Sequence, residues 1–209
     1  LEYFEKCLAI KLKTLGGEHP SVAISHNNIG TTWDSKGEYD KALEYYEKSL
    51  AIKLKTLGGE HPSVATSYNN IGLTWKNKGK YDKALEYFEK CLSIKLKTLG
   101  GEHPEVATLY FKIGNCNLEL TRYLLAIDFF KKGFSTSTKN NGGYPFEIAK
   151  CYELLDKKEL SLDYFIQSAE IRKDDPEFGL DNEITKDSIA NVKRIAKEIG
   201  RENELPDWI

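Results

Sequence analysis

The 209-residue sequence has no methionine, not even at position 1, and so reads as a segment of a longer chain. It has no surplus of either charge: 30 Lys and Arg stand against 32 Asp and Glu, a formal net charge of −2. A general nucleic-acid binder needs a clear excess of cationic side chains, so that class is set aside. No apolar run approaches the ~20 residues of a membrane-crossing helix, and no signal-peptide pattern is present, so a membrane is not an expected partner. The four cysteines, Cys7, Cys91, Cys116 and Cys151, lack the close pairing of a disulfide framework or a zinc site. A reducing, cytoplasmic setting is the corresponding expectation. What the chain does have is 40% apolar residues, with 3 Trp, 12 Tyr and 9 Phe, which is enough to build a buried core.

Internal repetition decides the architecture. Residues 19–60, HPSVAISHNNIGTTWDSKGEYDKALEYYEKSLAIKLKTLGGE, and residues 61–102, HPSVATSYNNIGLTWKNKGKYDKALEYFEKCLSIKLKTLGGE, differ at only nine positions. Residues 1–18 repeat the last part of that unit, so the sequence opens on the second helix of a truncated repeat. A third unit, 103–144, begins with the same His-Pro pair and then diverges through a loop at 139–143. A fourth, degenerate unit spans 145–180, with Ala149 and Ser161 at its small-residue positions. Residues 181–200 predict a terminal helix over about 183–199, with Ile184, Ser188, Ile189, Val192, Ile195, Ala196 and Ile199 on its apolar side. Asn182 and Gly200 suit the caps of that helix, and residues 201–209 form a tail.

Each full unit reads as two helices. Pro62 suits a first helical position, and Tyr68, Ile71, Gly72 and Trp75 recur at the spacing of one helical stripe. Asn77, Lys78 and Gly79 break that helix. The next runs over about Tyr81–Leu99, with Ala84, Phe88, Cys91, Leu92, Leu96 and Leu99 on one face. Gly100 is expected to end it in the left-handed conformation. Gly72 and Ala84 permit close approach of the two helices, and Trp75 and Phe88 fill the remaining space. A single hairpin cannot bury both faces, so the units must stack.

These residues resemble the tetratricopeptide repeat. Its small positions fall at Gly30 and Ala42, Gly72 and Ala84, Gly114 and Ala126, and its aromatic position at Tyr46, Phe88 and Phe130. The 42-residue spacing, the HPxVA opening and the NNIG core are similar to the kinesin light chain type. The resemblance implies an all-α, right-handed superhelical solenoid of helix hairpins closed by a C-terminal capping helix. It further implies a concave groove, lined by the first helix of each unit, that binds linear peptides.

No catalytic constellation emerges, no cofactor or metal is expected, and the chain is read as a non-enzyme. His19, His61 and His103 recur one unit apart, each before a proline. Packed helices sit roughly 8–10 Å apart, too far for three such side chains to share a metal at ~2 Å bond lengths. They read as polar residues at helix starts. His26 occupies the slot of Tyr68 and Tyr110 and reads as an aromatic packing residue. Cys7 and Cys91 share a position with Ser49, which suits packing and not nucleophilic chemistry.

The face of the first helices away from their partners carries the candidate peptide site. Its residues are Asn27, Asn28 and Thr31 in one unit, Asn69, Asn70, Leu73 and Lys76 in the next, and Phe111, Lys112 and Asn115 in the third. A side-chain amide offers both donor and acceptor without charge, so Asn28 and Asn70 would ladder along a peptide backbone. Lys112 and Phe111 would shift the third position towards acidic and apolar ligand groups. Two self-association routes also arise: the uncovered apolar side of Leu1–Leu15 (Phe4, Leu8, Leu12 and Leu15), and the tail at Trp208, whose tryptophan-and-acid character resembles ligands of kinesin light chain grooves. The leading expectation is a peptide-binding adaptor, with motor–cargo linkage as one form of it. No heptad coiled coil for holding a motor chain is present in these residues. The alternatives are a structural or oligomerising spacer and the regulatory repeat domain of a larger protein.

Overall fold

The computed structural model of the chain describes residues 1–137, 141–176, 179–180 and 182–209. Among these, ten α-helices and one short 3-10 turn succeed one another and no strand occurs. They divide into two compact units, Leu1–Gly100 and Gly101–Ile209. The first holds α1 (Glu2–Leu15), α2 (Pro20–Asp34), α3 (Tyr39–Leu57), α4 (Pro62–Asn77) and α5 (Tyr81–Leu99). The second holds α6 (Pro104–Glu119), α7 (Tyr123–Thr136), α8 (Gly143–Leu154), α9 (Lys158–Lys173) and α10 (Glu183–Ile199). Within each unit successive helices pack against one another, so α2–α3, α4–α5, α6–α7 and α8–α9 are hairpins.

The repeated histidines start the first helices. His19, His61 and His103 are N-caps with extended backbone, and each Nδ1 accepts a hydrogen bond from the backbone N–H two residues on, at 3.1, 3.1 and 3.2 Å. Imidazole thus takes the role usually filled by Ser or Asp, and the following proline occupies a position whose N–H would go unused.

The four hairpin turns share one hydrogen-bond pattern. Glu38, Lys80, Arg122 and Lys157 donate their backbone N–H to the carbonyls of Trp33, Trp75, Asn117 and Tyr152, at 2.8–3.0 Å. The residue before each donor has positive φ: Gly37 (76°), Gly79 (71°), Thr121 (57°) and Asp156 (55°). The second unit therefore keeps the turn after losing its glycine. At the far end, Gly58 and Gly100 have φ near 80° but ψ of 162° and 166°. This is the extended glycine-only region and not the left-handed helical cap expected from sequence.

Close packing of the hairpins follows from glycine facing a ring. A Cβ added to Gly30, Gly72 or Gly114 would lie 2.8, 2.8 or 2.5 Å from Tyr46, Phe88 or Phe130. The rings of Phe88 and Phe130 are fully buried in consequence. Neighbouring hairpins of the first unit are joined by lysine: Lys53 Nζ donates to Ser67 Oγ at 2.8 Å, and Lys11 Nζ to Ser25 Oγ at 2.8 Å. Lys55 and Glu18, and Lys97 and Glu60, form exposed ion pairs one repeat apart, where solvent screening leaves them little weight.

Several expected core positions are redistributed. Leu96 and Leu99 are 37% and 40% exposed, while Leu85 and Ile94 are buried in their place. At 19 residues α5 outlasts the 16 of α4 and its last turn overhangs. In α10, Ile184 is exposed and Thr185 buried, whereas Ser188, Val192, Ile195 and Ala196 face the core as expected. Asn182 caps this helix through Ile184 N–H at 2.9 Å, and Gly200 closes it with left-handed geometry. Buried Arg172 ties α9 to α10 by donating to the Ile184 carbonyl at 3.1 Å and to Ser188. Arg194 spans from α10 to Glu153 of α8 with two bonds of 2.9 Å.

The loop expected at 139–143 lies partly outside the described residues; of the rest, Asn141 and Gly142 are non-helical and Gly143 is helical. Gly143 begins α8, and buried Gly142 sits where a Cβ would meet Arg172 Cγ at 2.7 Å. The tail packs within the second unit. Leu205 and Ile209 pack on the cluster of Leu162, Phe165, Val192 and Ile195, and Lys173 Nζ stands 4.5 Å from the Trp208 ring centre.

Candidate functional site

In the first unit α2 and α4 are bridged along the face that carries the asparagines. Asn70 Nδ2 donates to Asn27 Oδ1 at 3.2 Å, and Thr74 Oγ1 donates to Asp34 Oδ1 at 2.8 Å. Asn69 Nδ2 reaches Asn70 Oδ1 at 3.4 Å. The register between the helices is thus Asn27 against Asn70, 43 residues apart, and not Asn28 against Asn70. Asn28 is left exposed, with its own backbone carbonyl accepting from Thr32 Oγ1 at 2.9 Å.

Thr31 is exposed on the same face and links it to the hairpin core. Its hydroxyl donates to the Asn27 carbonyl and accepts from Tyr46 OH, each at 3.1 Å. Burial raises the Tyr46 phenol above its ordinary pKa, so it remains a donor. Leu73 and Lys76 are half-buried, and Ile24 is 55% exposed. The surface between α2 and α4 therefore offers amides, hydroxyls, two apolar side chains and one carboxylate held by Thr74. Thr74 and Asp34 as a bridge are missing from the sequence reading. The recurrence of Thr32 and Thr74 before each tryptophan is the signal that points to them.

The third set of candidates lies in the second unit and differs in kind. Phe111 is committed to packing: its ring centre is 5.5 Å from Phe130 and 5.1 Å, edge-on, from Tyr144. Lys112 and Asn115 are half-buried on the same helix. Tyr144 OH donates to the Ala107 carbonyl at 2.9 Å, and its ring lies 2.4 Å from where a Cβ on Gly133 would sit. This aromatic nest between α6, α7 and α8 has no counterpart in the expected site.

Other side chains singled out for chemistry have packing roles. His26 lies 5.8 Å from Tyr45, as Tyr68 does from Tyr87 (6.1 Å) and Tyr110 from Phe129 (6.2 Å). Burial, and secondarily the charge of Lys48, lowers the His26 pKa. Cys91, Cys116 and Cys151 are buried, and burial pushes the Cys151 thiol up to about 12, away from the reactive thiolate. A cavity of about 100 Å³ lies against Gly142, Arg172 and Ile184. Among the described residues no cluster of His, Cys, Asp and Glu has the form of a metal site, and no helix is long and apolar enough to cross a membrane.

Comparison with known proteins sets the chain in a family. The tetratricopeptide repeat family matches residues 1–55, 35–76 and 76–139. A search of curated proteins finds no match. Among solved structures, the nearly identical TPR-like repeats of a protein described as a kinesin light chain of Podosopora anserina superpose with a TM-score of 0.70 at 21% identity, covering 89% of this chain and 90% of that one. BtubC (BKLC) from P. vanneervenii gives a TM-score of 0.75 at 15% identity, over 96% of this chain and 81% of that one. MamA gives 0.65 at 16%, over 87% and 85%. These likenesses are of fold. With the family matched over more than half its length and the hairpins built on its small and aromatic positions, the chain belongs to the tetratricopeptide repeat family.

Proposed function

We propose that the chain is a protein-binding scaffold whose α2–α4 face takes an extended peptide from another protein. Tetratricopeptide repeats are in general protein-interaction scaffolds, which supports the broad reading. The observation that carries the narrower one is the pair of bridges, Asn70 to Asn27 and Thr74 to Asp34. They hold two first helices side by side and leave Asn28, Thr31 and Leu73 at the surface beside them. A peptide laid there meets hydrogen-bonding groups already fixed in place, which lowers the ordering cost of binding. Cargo linkage of the kinesin light chain kind, in the cytoplasm, is one setting for such a scaffold.

The spacer reading draws on the same bridges, since Asn70 serves the repeat stack directly. Separate substitutions divide the two. Asn28→Ala should reduce capture of peptides selected from a library at least several-fold while leaving the thermal midpoint in place, and Leu73→Ala, at a half-buried position, should reduce capture with a modest fall in the midpoint. Asn70→Ala should lower the midpoint, because it leaves Asn27 without its bridge. Unchanged capture by both surface variants would favour the spacer.

A further inference from the structure

Arg172 of α9 is fixed on three sides and open on a fourth. It is 8% exposed, and its Nη1 donates to the Ile184 carbonyl at 3.1 Å and to Ser188 Oγ. The Phe146 ring centre lies 4.9 Å from the guanidinium carbon and covers one face. Gly142 admits the stem, since a Cβ there would lie 2.7 Å from Arg172 Cγ and 3.1 Å from Nε. Nε and Nη2 bond no described residue, and neither is sealed from accessible space. These two donors form the side-on edge of the guanidinium, whose parallel N–H groups match two oxygens of one anion. Among the described residues no carboxylate reaches ion-pair distance of Arg172. Burial lowers its pKa, while Asp187 and Glu147 act from farther off in the opposite direction. Arginine stays protonated at neutral pH, so a buried charge stands here without a counter-ion.

Arg172 lines the cavity of about 100 Å³, together with Asn141, Gly142, Ile171, Asp175 and Ile184. That volume is the space of roughly three waters, or of a molecule with about four heavy atoms. We propose that this cavity binds the anion of a small monocarboxylic acid of acetate size, both oxygens on Arg172 Nε and Nη2 and the alkyl end against Ile171 and Ile184. The wall decides the charge of the ligand. Asp175 lines the cavity, and Asp187 and Glu147 add negative potential at Arg172, so a single charge suits the site better than the nearly two of a phosphate. The donors are already fixed by Ser188, Phe146 and Gly142, which lowers the ordering cost of binding. The site uses no residue of the α2–α4 face.

The chain has four arginines, Arg122, Arg172, Arg194 and Arg201, so each Nε–H can be followed separately by NMR. Sodium acetate is titrated into the 209-residue chain at about pH 7.5, with sodium chloride holding the ionic strength constant. The Arg172 Nε–H signal should shift saturably, at one acetate per chain, and the thermal midpoint should rise with it. Ile184→Asp sets a carboxylate at the cavity wall, in the first turn of α10 where an acid suits the helix dipole. This variant should fold and weaken acetate binding at least ten-fold. Asp175→Asn should tighten it several-fold. Arg172→Lys keeps the charge and lacks the side-on edge, so its midpoint should no longer respond to acetate. Sodium phosphate should bind the parent chain at least ten-fold more weakly than acetate. The proposal is overturned if the Arg172 signal is unmoved by about 100 mM acetate, which would leave the cavity to water. It is also overturned by equal acetate binding in Ile184→Asp. Phosphate binding as tight as that of acetate would overturn it as well, since charge and not carboxylate shape would then select the ligand.

Discussion

A methyl group placed on Gly72 would lie 2.8 Å from two carbons of the Phe88 ring, closer than a carbon contact allows. That single relationship sets the distance between α4 and α5. Gly72→Ala should destabilise the chain by about 1–3 kcal/mol through overpacking. Phe88→Leu should cost stability alone by loss of buried area, yet the double variant should be more stable than the sum of the two losses predicts. Urea unfolding of the four species measures the coupling. Strict additivity would mean that the helices separate freely at this point.

Thr121 should gain from becoming glycine. It holds a φ of 57° in the α6–α7 turn, where the first-unit turns have Gly37 and Gly79 at equivalent positions. A β-branched residue is strained there by roughly 1–2 kcal/mol. Thr121→Gly should therefore raise stability by roughly 1 kcal/mol, after allowing for glycine's greater freedom in the unfolded chain. Calorimetry should show a midpoint a few degrees higher, with Gly79→Thr moving it the opposite way.

Acid should weaken the first unit through His26. Its pKa in the folded chain is lowered by burial and then by Lys48, so the unfolded chain binds the proton more readily. Stability from this residue is fully present above the ordinary histidine pKa of about 6.5 and falls as pH drops below it, levelling off beneath the folded value. His26→Tyr restores the ring found at Tyr68 and removes the charge change. The stability difference between this variant and the parent should widen from pH 8 towards pH 5 in denaturant titrations. A constant difference would show that the imidazole does not sense its neighbours.

Most of the fold was legible because its rules are local or recur at a fixed interval. The His-Pro starts, the turn after Asn77 and the limits of α4 and α5 follow from capping, proline geometry and apolar spacing within a few residues. The pairing of Gly72 with Phe88 was visible because small and aromatic residues recur together in three units. Repetition failed as a guide where it decays. The start of α8 at Gly143 and the seat of Gly133 under Tyr144 have no earlier copy to compare.

Sequence alone determined that the fold is all-helical, that its hairpins repeat, and that Gly30, Gly72 and Gly114 pair with the aromatic rings of Tyr46, Phe88 and Phe130, since periodicity and turn chemistry are properties of adjacent residues and these pairs recur. Tertiary structure decided that Asn70 bonds Asn27 and leaves Asn28 exposed, that Phe111 joins a core cluster, and that the tail folds back onto α9 and α10. The physical reason is offset. Residues 43 apart meet only through the distance and tilt between stacked helices, and a shift of one position along the helix changes which amide is paired and which meets solvent.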